Sequence, residues 1–221
     1  MLIKSNEPQG DSLEYDLIEQ AIQFLKDPIG NTVEIGVRDG FASKLIIDAW
    51  RRHQKKPLIH LGIDPYGDIP YNESDASLGI DYTGYNNKMK QDMLVYMSHG
   101  YPEFNLINLE DTEFFDKFSD GYPIYNKKKI LINKYDFVLL DGPHDTQSIL
   151  NEMKFFMDRS PEQQLIMIDD VKSFDLNFIE NEVKSHNYFV CYEGEKKVMF
   201  SNFIKTDGWL QYNSRYKKTN K

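Results

Sequence analysis

Five apolar stretches run through this chain without the polar alternation of a half-exposed strand: NTVEIGV (31–37), PLIHLGID (57–64), FNLINLE (104–110), YDFVLLD (135–141) and LIMIDD (165–170). A strand that is apolar on successive residues must be covered on both faces, and sheets covered on both faces are parallel sheets wrapped by helices. The intervening segments supply those helices. Leu13, Leu17, Ile18, Ala21, Ile22 and Leu25 recur at helical spacing, with Asp11 or Ser12 as N-cap and Pro28 and Gly30 as the stop. Further helical patterns cover 41–52, 86–98, 146–157 and 176–185, and a polar helix-and-loop stretch runs to Lys134. After the last parallel strand, YFVCYEG (188–194) and KKVMFSN (196–202), joined at Glu193, Gly194 and Glu195, have hairpin chemistry and add an antiparallel edge.

One sheet of this kind fits a chain of 221 residues that is 40% hydrophobic, which favours a single domain. No internal repeat, low-complexity tract or interdomain linker interrupts it. The expected organisation is a flexible N-terminus over 1–10, one domain over 11–207 and a C-terminal tail over 208–221. Residues 65–85 break the rhythm with Tyr66, Tyr71, Tyr82 and Tyr85 and mark a lid-like insertion at about 65–100.

A formal charge of −9 and a pI near 5.1 argue against phosphate-driven nucleic-acid binding and against an anionic membrane surface. Cys191 is the one cysteine, so no intrachain disulfide forms and a reducing compartment is the natural setting. The first ten residues lack the apolar core of a signal peptide, and no stretch has the roughly 18 apolar residues of a membrane span. The expectation is a cytoplasmic protein, with oligomeric state open and a homo-oligomer among the options.

Two of the apolar runs end in acid: Asp141 closes one, and Asp169 and Asp170 close the other. Parallel neighbours lie about 4.8 Å apart, so three carboxylates would share one sheet edge. Like charges that close resist joint ionisation unless a cation or hydrogen bonds compensate. Hard oxygen ligands suit Mg²⁺ best, with Mn²⁺ and Ca²⁺ as other options, and His144 is the only nitrogen ligand nearby. The plainer reading is that Asp170 caps the following helix, Asp145 caps the helix at 146, and His144 bonds locally in its turn.

The segment VEIGVRDG follows a strand and opens a helix, the setting in which backbone N–H groups meet an anionic ligand. In a dinucleotide fingerprint the middle glycine lets the backbone approach a pyrophosphate, and here that position is Arg38, which weakens a nicotinamide reading. EIGVRDG instead resembles the ExGxxxG motif of class I S-adenosylmethionine (SAM)-dependent methyltransferases, and GID (62–64) resembles the acidic end of their second strand. The resemblance spans about residues 11–202 and departs at Arg38, where many members carry glycine.

It implies an α/β, Rossmann-like, doubly wound and mostly parallel seven-stranded sheet of order 3-2-1-4-5-7-6 with an antiparallel C-terminal hairpin. It implies SAM as cofactor, with Glu34, Gly36 and Gly40 shaping the pocket for the methionine part. Asp64 would accept from the ribose hydroxyls, Asp111 and Thr112 in LEDTEFF would lie at the adenine, and Asp141 would border the cofactor. The pattern DGxH followed by a DD pair (Asp141, His144, Asp169, Asp170) is similar to metal-dependent small-molecule and sugar O-methyltransferases. That likeness implies metal ligation by Asp141, Asp169 and Asp170, Mg²⁺ or another divalent cation, and His144 as the base for a small-molecule hydroxyl acceptor. The rival expectations are an NAD-type oxidoreductase and a non-catalytic nucleotide-binding module.

Overall fold

In the computed structural model, residues 7–67, 86–142 and 145–204 are described. The apolar runs form strands β1 (Asn31–Ile35), β2 (Ile59–Ile63), β3 (Phe104–Ile107), β6 (Phe137–Leu140) and β7 (Leu165–Ile168). A hairpin of β8 (Phe189–Glu193) and β9 (Val198–Ser201) follows. The seven strands order as β3-β2-β1-β6-β7-β9-β8, and all neighbours are parallel except the antiparallel pairs made by β9. This is the doubly wound, mostly parallel sheet expected. A second sheet was not anticipated. Strands β4 (Tyr122–Tyr125) and β5 (Lys129–Ile132) form a separate antiparallel hairpin inside the stretch read as helix and loop.

Successive strand residues face opposite sides, and both sides are apolar. Val33, Ile35, Val138, Leu140, Ile166 and Ile168 pack against α4 (Asp111–Lys117), α5 (Thr146–Met157) and α6 (Leu176–Val183). Phe137, Leu139, Leu165 and Met167 pack against α1 (Asp16–Phe24) and α2 (Phe41–His53). Helix α3 (Asn87–Gly100) adds Met93 and Met97 against Val37 and Tyr66. Truncating a fully buried ring such as Phe156 to alanine in such a core costs about 3–5 kcal/mol.

Helix α1 begins at Asp16, later than the periodicity predicts. Residues 11–15 are drawn out of the helix by tertiary bonds. Asp11 pairs with Arg38 at 2.5 Å, Ser12 bonds Asp169, and Glu14, at φ 62°, reaches the β8–β9 turn. Leu13, counted as a helix-face residue, is 53% exposed as a result. Among the described residues no helix is long and apolar enough to cross a membrane.

Candidate functional site

The sheet register places the candidate residues in one row. Ile35 pairs with Ile63 and with Leu140, and Leu140 pairs with Ile168. The next residue on each strand is therefore Asp64, Gly36, Asp141 and Asp169, four positions side by side beyond the carboxyl ends of the parallel strands. The ladder continues into this row: Asp64 N–H donates to Ile107 O, Gly36 N–H to Ile63 O, Asp141 N–H to Ile35 O and Asp169 N–H to Leu140 O, all within 3.1 Å. Ligands of open α/β sheets bind at this edge, where the strand order reverses between β1 and β6.

The loop from Gly36 to Gly40 turns over that edge. Gly36 (φ 84°) and Gly40 (φ 85°) both take the left-handed conformation, and Gly40 caps α2. A Cβ on Gly36 would overlap the Asp141 carbonyl, so only glycine lets β1 pass the end of β6. Arg38, which replaces the middle glycine of the motif, also has positive φ (51°), and its side chain leaves the turn to pair with Asp11. Asp64 ties the loop down from below. Its Oδ2 accepts from Val37 N–H (2.9 Å) and Arg38 N–H (3.0 Å), and its Oδ1 accepts from Tyr66 N–H (3.0 Å). Burial pushes this carboxyl up, against the pull of those three bonds. Tyr66 completes the clamp by donating its hydroxyl to Arg38 O.

Glu34 lies beneath the loop rather than on its open side. It is fully buried, accepts from the Ser43 hydroxyl of α2, and is raised to about 8, chiefly by desolvation. His60 completes a buried polar chain. Its Nε2 is 2.9 Å from Ser43 Oγ and its Nδ1 is 2.8 Å from Thr32 Oγ1. Burial depresses this imidazole to about 3, so it is neutral and its 3.5 Å approach to Glu34 is not an ion pair. The chain Thr32–His60–Ser43–Glu34 binds β1, β2 and the first turn of α2 into one unit.

On the other side of Gly36, Asp111 opens α4, half-buried, and Thr112 is exposed beside it. Sequence reasoning missed the group facing Asp111. Glu152 of α5 is fully buried and neither of its oxygens meets a hydrogen-bond donor. Desolvation first, and then the Asp111 charge, raise it well above the usual carboxylate range. The signal was present: Glu152 lies on the apolar stripe Ile149, Met153, Phe156 of its helix.

The acidic edge departs from expectation in its counter-charges. Asp141 is half-buried and raised well above its ordinary value, by desolvation first and by the Asp169 charge next. Asp169 is fully buried, and its partners are complete. Oδ1 accepts from the Ser12 hydroxyl (2.9 Å) and from Asp170 N–H (2.8 Å), and Oδ2 accepts from the Lys197 ammonium. Asp170, at φ 52°, turns its carboxylate to Lys196 Nζ at 2.6 Å.

A divalent cation at this edge would need carboxylates free of other cations. Two of its three expected ligands already carry ammonium groups, and among the described residues no group of three His, Cys, Asp or Glu side chains is arranged to hold a metal. The expected Asp141, Asp169 and Asp170 metal site therefore does not fit the side chains in place. His144 and residues 68–85, which hold three of the four tyrosines of the expected lid, lie outside the described residues.

Beside this row, a cleft of about 490 Å³ opens between the N-terminal segment and the glycine loop. It is lined by Glu7, Gln9, Gly10, Asp11, Arg38 and Asp39. Gln9 N–H donates to Asp39 Oδ2 (2.7 Å) across it.

No protein-family model matches the chain, and no curated protein matches it in sequence. Solved structures do match in shape. The O-methyltransferase NovP aligns at TM-score 0.57 and 14% identity, over 84% of this chain and 78% of that one. A candidate caffeoyl-CoA O-methyltransferase from Staphylococcus aureus aligns at TM-score 0.54 and 17% identity, over 88% and 84%. SMU.1697c, a candidate methyltransferase from Streptococcus mutans solved with S-adenosylhomocysteine (SAH), aligns at 0.53 and 9% identity, over 84% and 96%. A candidate RNA methyltransferase is also among the matches. With its 3-2-1-6-7-9-8 sheet and the glycine turn after its first strand, the chain has the fold of the class I SAM-dependent methyltransferases.

Proposed function

We propose that this protein is a SAM-dependent O-methyltransferase acting on a hydroxyl of a small molecule such as a sugar, a glycosylated metabolite or a catechol-like ring. The observation that carries the reading is the row Asp64, Gly36, Asp141 beneath a left-handed glycine turn, at the edge where the strand order reverses. SAM supplies an electrophilic methyl on a sulfonium. The chain's residues hold that donor and aim the acceptor at it. The turn at Gly36–Gly40 keeps side chains out of the space above the strand ends, and Glu34 shapes that space from below. Asp64 keeps one lone pair of Oδ1 for a ribose hydroxyl, and the α4 start at Asp111 and Thr112 borders the base.

Methyl transfer to oxygen is an in-line displacement, and alignment supplies much of its acceleration. The acceptor proton must leave, and His144, two residues past Gly142 in the sequence, is the base we assign. Asp169 and Asp170 are held by Lys197 and Lys196. A small acceptor is favoured over RNA by the charge of −9 and by the acids lining the cleft. The likeness to NovP supports the same choice.

Titration calorimetry with SAH tests the donor site. We expect binding that falls at least about tenfold in Asp64→Ala, since that change removes both the loop clamp and the hydroxyl acceptor. SAH release in the presence of SAM and a panel of sugars and phenols then identifies the acceptor. Absence of SAH binding, with affinity for a nicotinamide cofactor in its place, would reverse the assignment.

A further inference from the structure

Lys197 takes no part in the chemistry above, yet its ammonium is fully buried at the acidic edge. Its position follows from register. Strand β9 runs antiparallel to β7 with Val198 opposite Ile168, so Lys197 is the residue facing Asp169. It lies two residues before Met199 and Asp169 two after Met167, so the period of two sends both side chains to the α1 face. There the three ammonium hydrogens have three partners: Asp169 Oδ2, Ser12 Oγ at 2.9 Å, and the Tyr15 ring with its centroid 4.6 Å away. Ser12 passes the bond on to Asp169 Oδ1, closing a Lys197–Ser12–Asp169 circuit. The backbone is fixed as well, because Glu14 accepts from the N–H groups of Glu195, Lys196 and Lys197.

We propose that Lys197 is the built-in cation of this edge: its ammonium holds the place a divalent metal would need between the strand-end carboxylates, and the site works without metal. A fully buried acid, Asp169, beside the half-buried Asp141 requires positive charge at this edge. A lysine from the last strand provides it as part of the fold, with Lys196 doing the same for Asp170 on the outer side. A metal entering here must detach Asp169 from Lys197 and leave a buried ammonium without its anion. The circuit also carries the N-terminal segment, through Ser12, to the side of the cleft. In the methyltransferase reading, on which this last clause alone rests, Lys197 is a positioning residue that keeps Asp141 and the cleft wall in place.

The test uses the full chain, stripped with EDTA and desalted, with melting followed in buffer and after addition of Mg²⁺ or Mn²⁺, and SAH binding measured in the same samples. We expect the melting temperature and SAH affinity to be unchanged by either metal. Lys197→Ala, which exposes the carboxylates to each other, should melt lower and regain part of the loss with metal. A wild-type melting temperature that rises by about 5 °C or more at a metal concentration about 100 times Kd, and no longer does so in Asp169→Asn, would overturn the proposal. The wild-type measurement decides the matter even if Lys197→Ala does not fold. Failure of SAH to bind would sink the methyltransferase reading and leave the melting comparison intact.

Discussion

Replacing Gly36 by alanine puts the site geometry to a quantitative test. At φ 84° the backbone is in the left-handed region, which costs an L-residue about 1–2 kcal/mol. The new Cβ would also stand 2.6 Å from the Asp141 carbonyl carbon and closer still to its oxygen. That carbonyl cannot retreat cheaply. Asp141 N–H is bonded to Ile35 O and Asp169 N–H to Leu140 O, so moving the end of β6 opens the ladder on both sides. Overpacking of a rigid neighbour adds about 1–3 kcal/mol, for a combined loss on the order of 2–5 kcal/mol. Urea denaturation should show a lower midpoint at unchanged m-value, and calorimetry a weaker SAH complex. Gly100→Ala is the control: its Cβ meets nothing within 4 Å at the end of α3, so it should be neutral or stabilise by up to about 1 kcal/mol. A Gly36→Ala protein within about 0.5 kcal/mol of wild type would refute the close passage of β1 and β6.

Glu34→Gln probes the buried polar chain. A carboxyl raised from 4.5 to about 8 in the folded state binds its proton more tightly there than when unfolded, so wild-type stability falls as pH rises from about 4.5 to about 8. The amide cannot ionise, so the variant should match wild type near pH 5 and exceed it at pH 9 in thermal melts. Equal slopes for the two proteins would remove the assignment. Burial pushes the Cys191 thiol up to about 12, and it donates to Met199 O inside the sheet. A thiol reagent at pH 8 should therefore label it at the rate of opening of the native fold; labelling as fast as a free thiol would contradict its burial.

The strands were legible because burial on both faces leaves an unbroken apolar run, and their terminal acids were legible because charge ends such a run. Four of those strand ends then fell into one row for a reason the sequence also holds, the equal in-register pairing of parallel neighbours. What escaped was set by partners distant in sequence. The helical period running back to Leu13 was correct as a pattern. It lost to the bonds of Asp11 with Arg38, Ser12 with Asp169 and Glu14 with the β8–β9 turn. The β4–β5 hairpin was hidden by Pro123 and by the lysines at 127–129, which read as solvent, and Tyr125 in it is 75% exposed. Lys197 looked like a hairpin lysine, and only the antiparallel register of β9 shows that it meets Asp169. Three acids in two stretches likewise do not reveal that Lys197 and Lys196 meet two of them.

The bonds from Glu14 to residues 195, 196 and 197 span 181 to 183 positions, and Lys197 joins Asp169 from the last strand. A ribosome delivers these partners at opposite ends of its work on this domain. Until β9 emerges and docks, Asp169 has no ammonium, the segment at 11–15 has no anchor, and the edge of β7 is open to other strands. A nascent chain halted after residue 185 would carry the glycine turn and the strand-end acids Asp64, Asp141, Asp169 and Asp170, but with the charge of its acidic edge uncompensated. Closure of such distant contacts is slow to form and late to be rewarded. The site therefore matures in a single final step, when the C-terminal hairpin adds itself to the sheet.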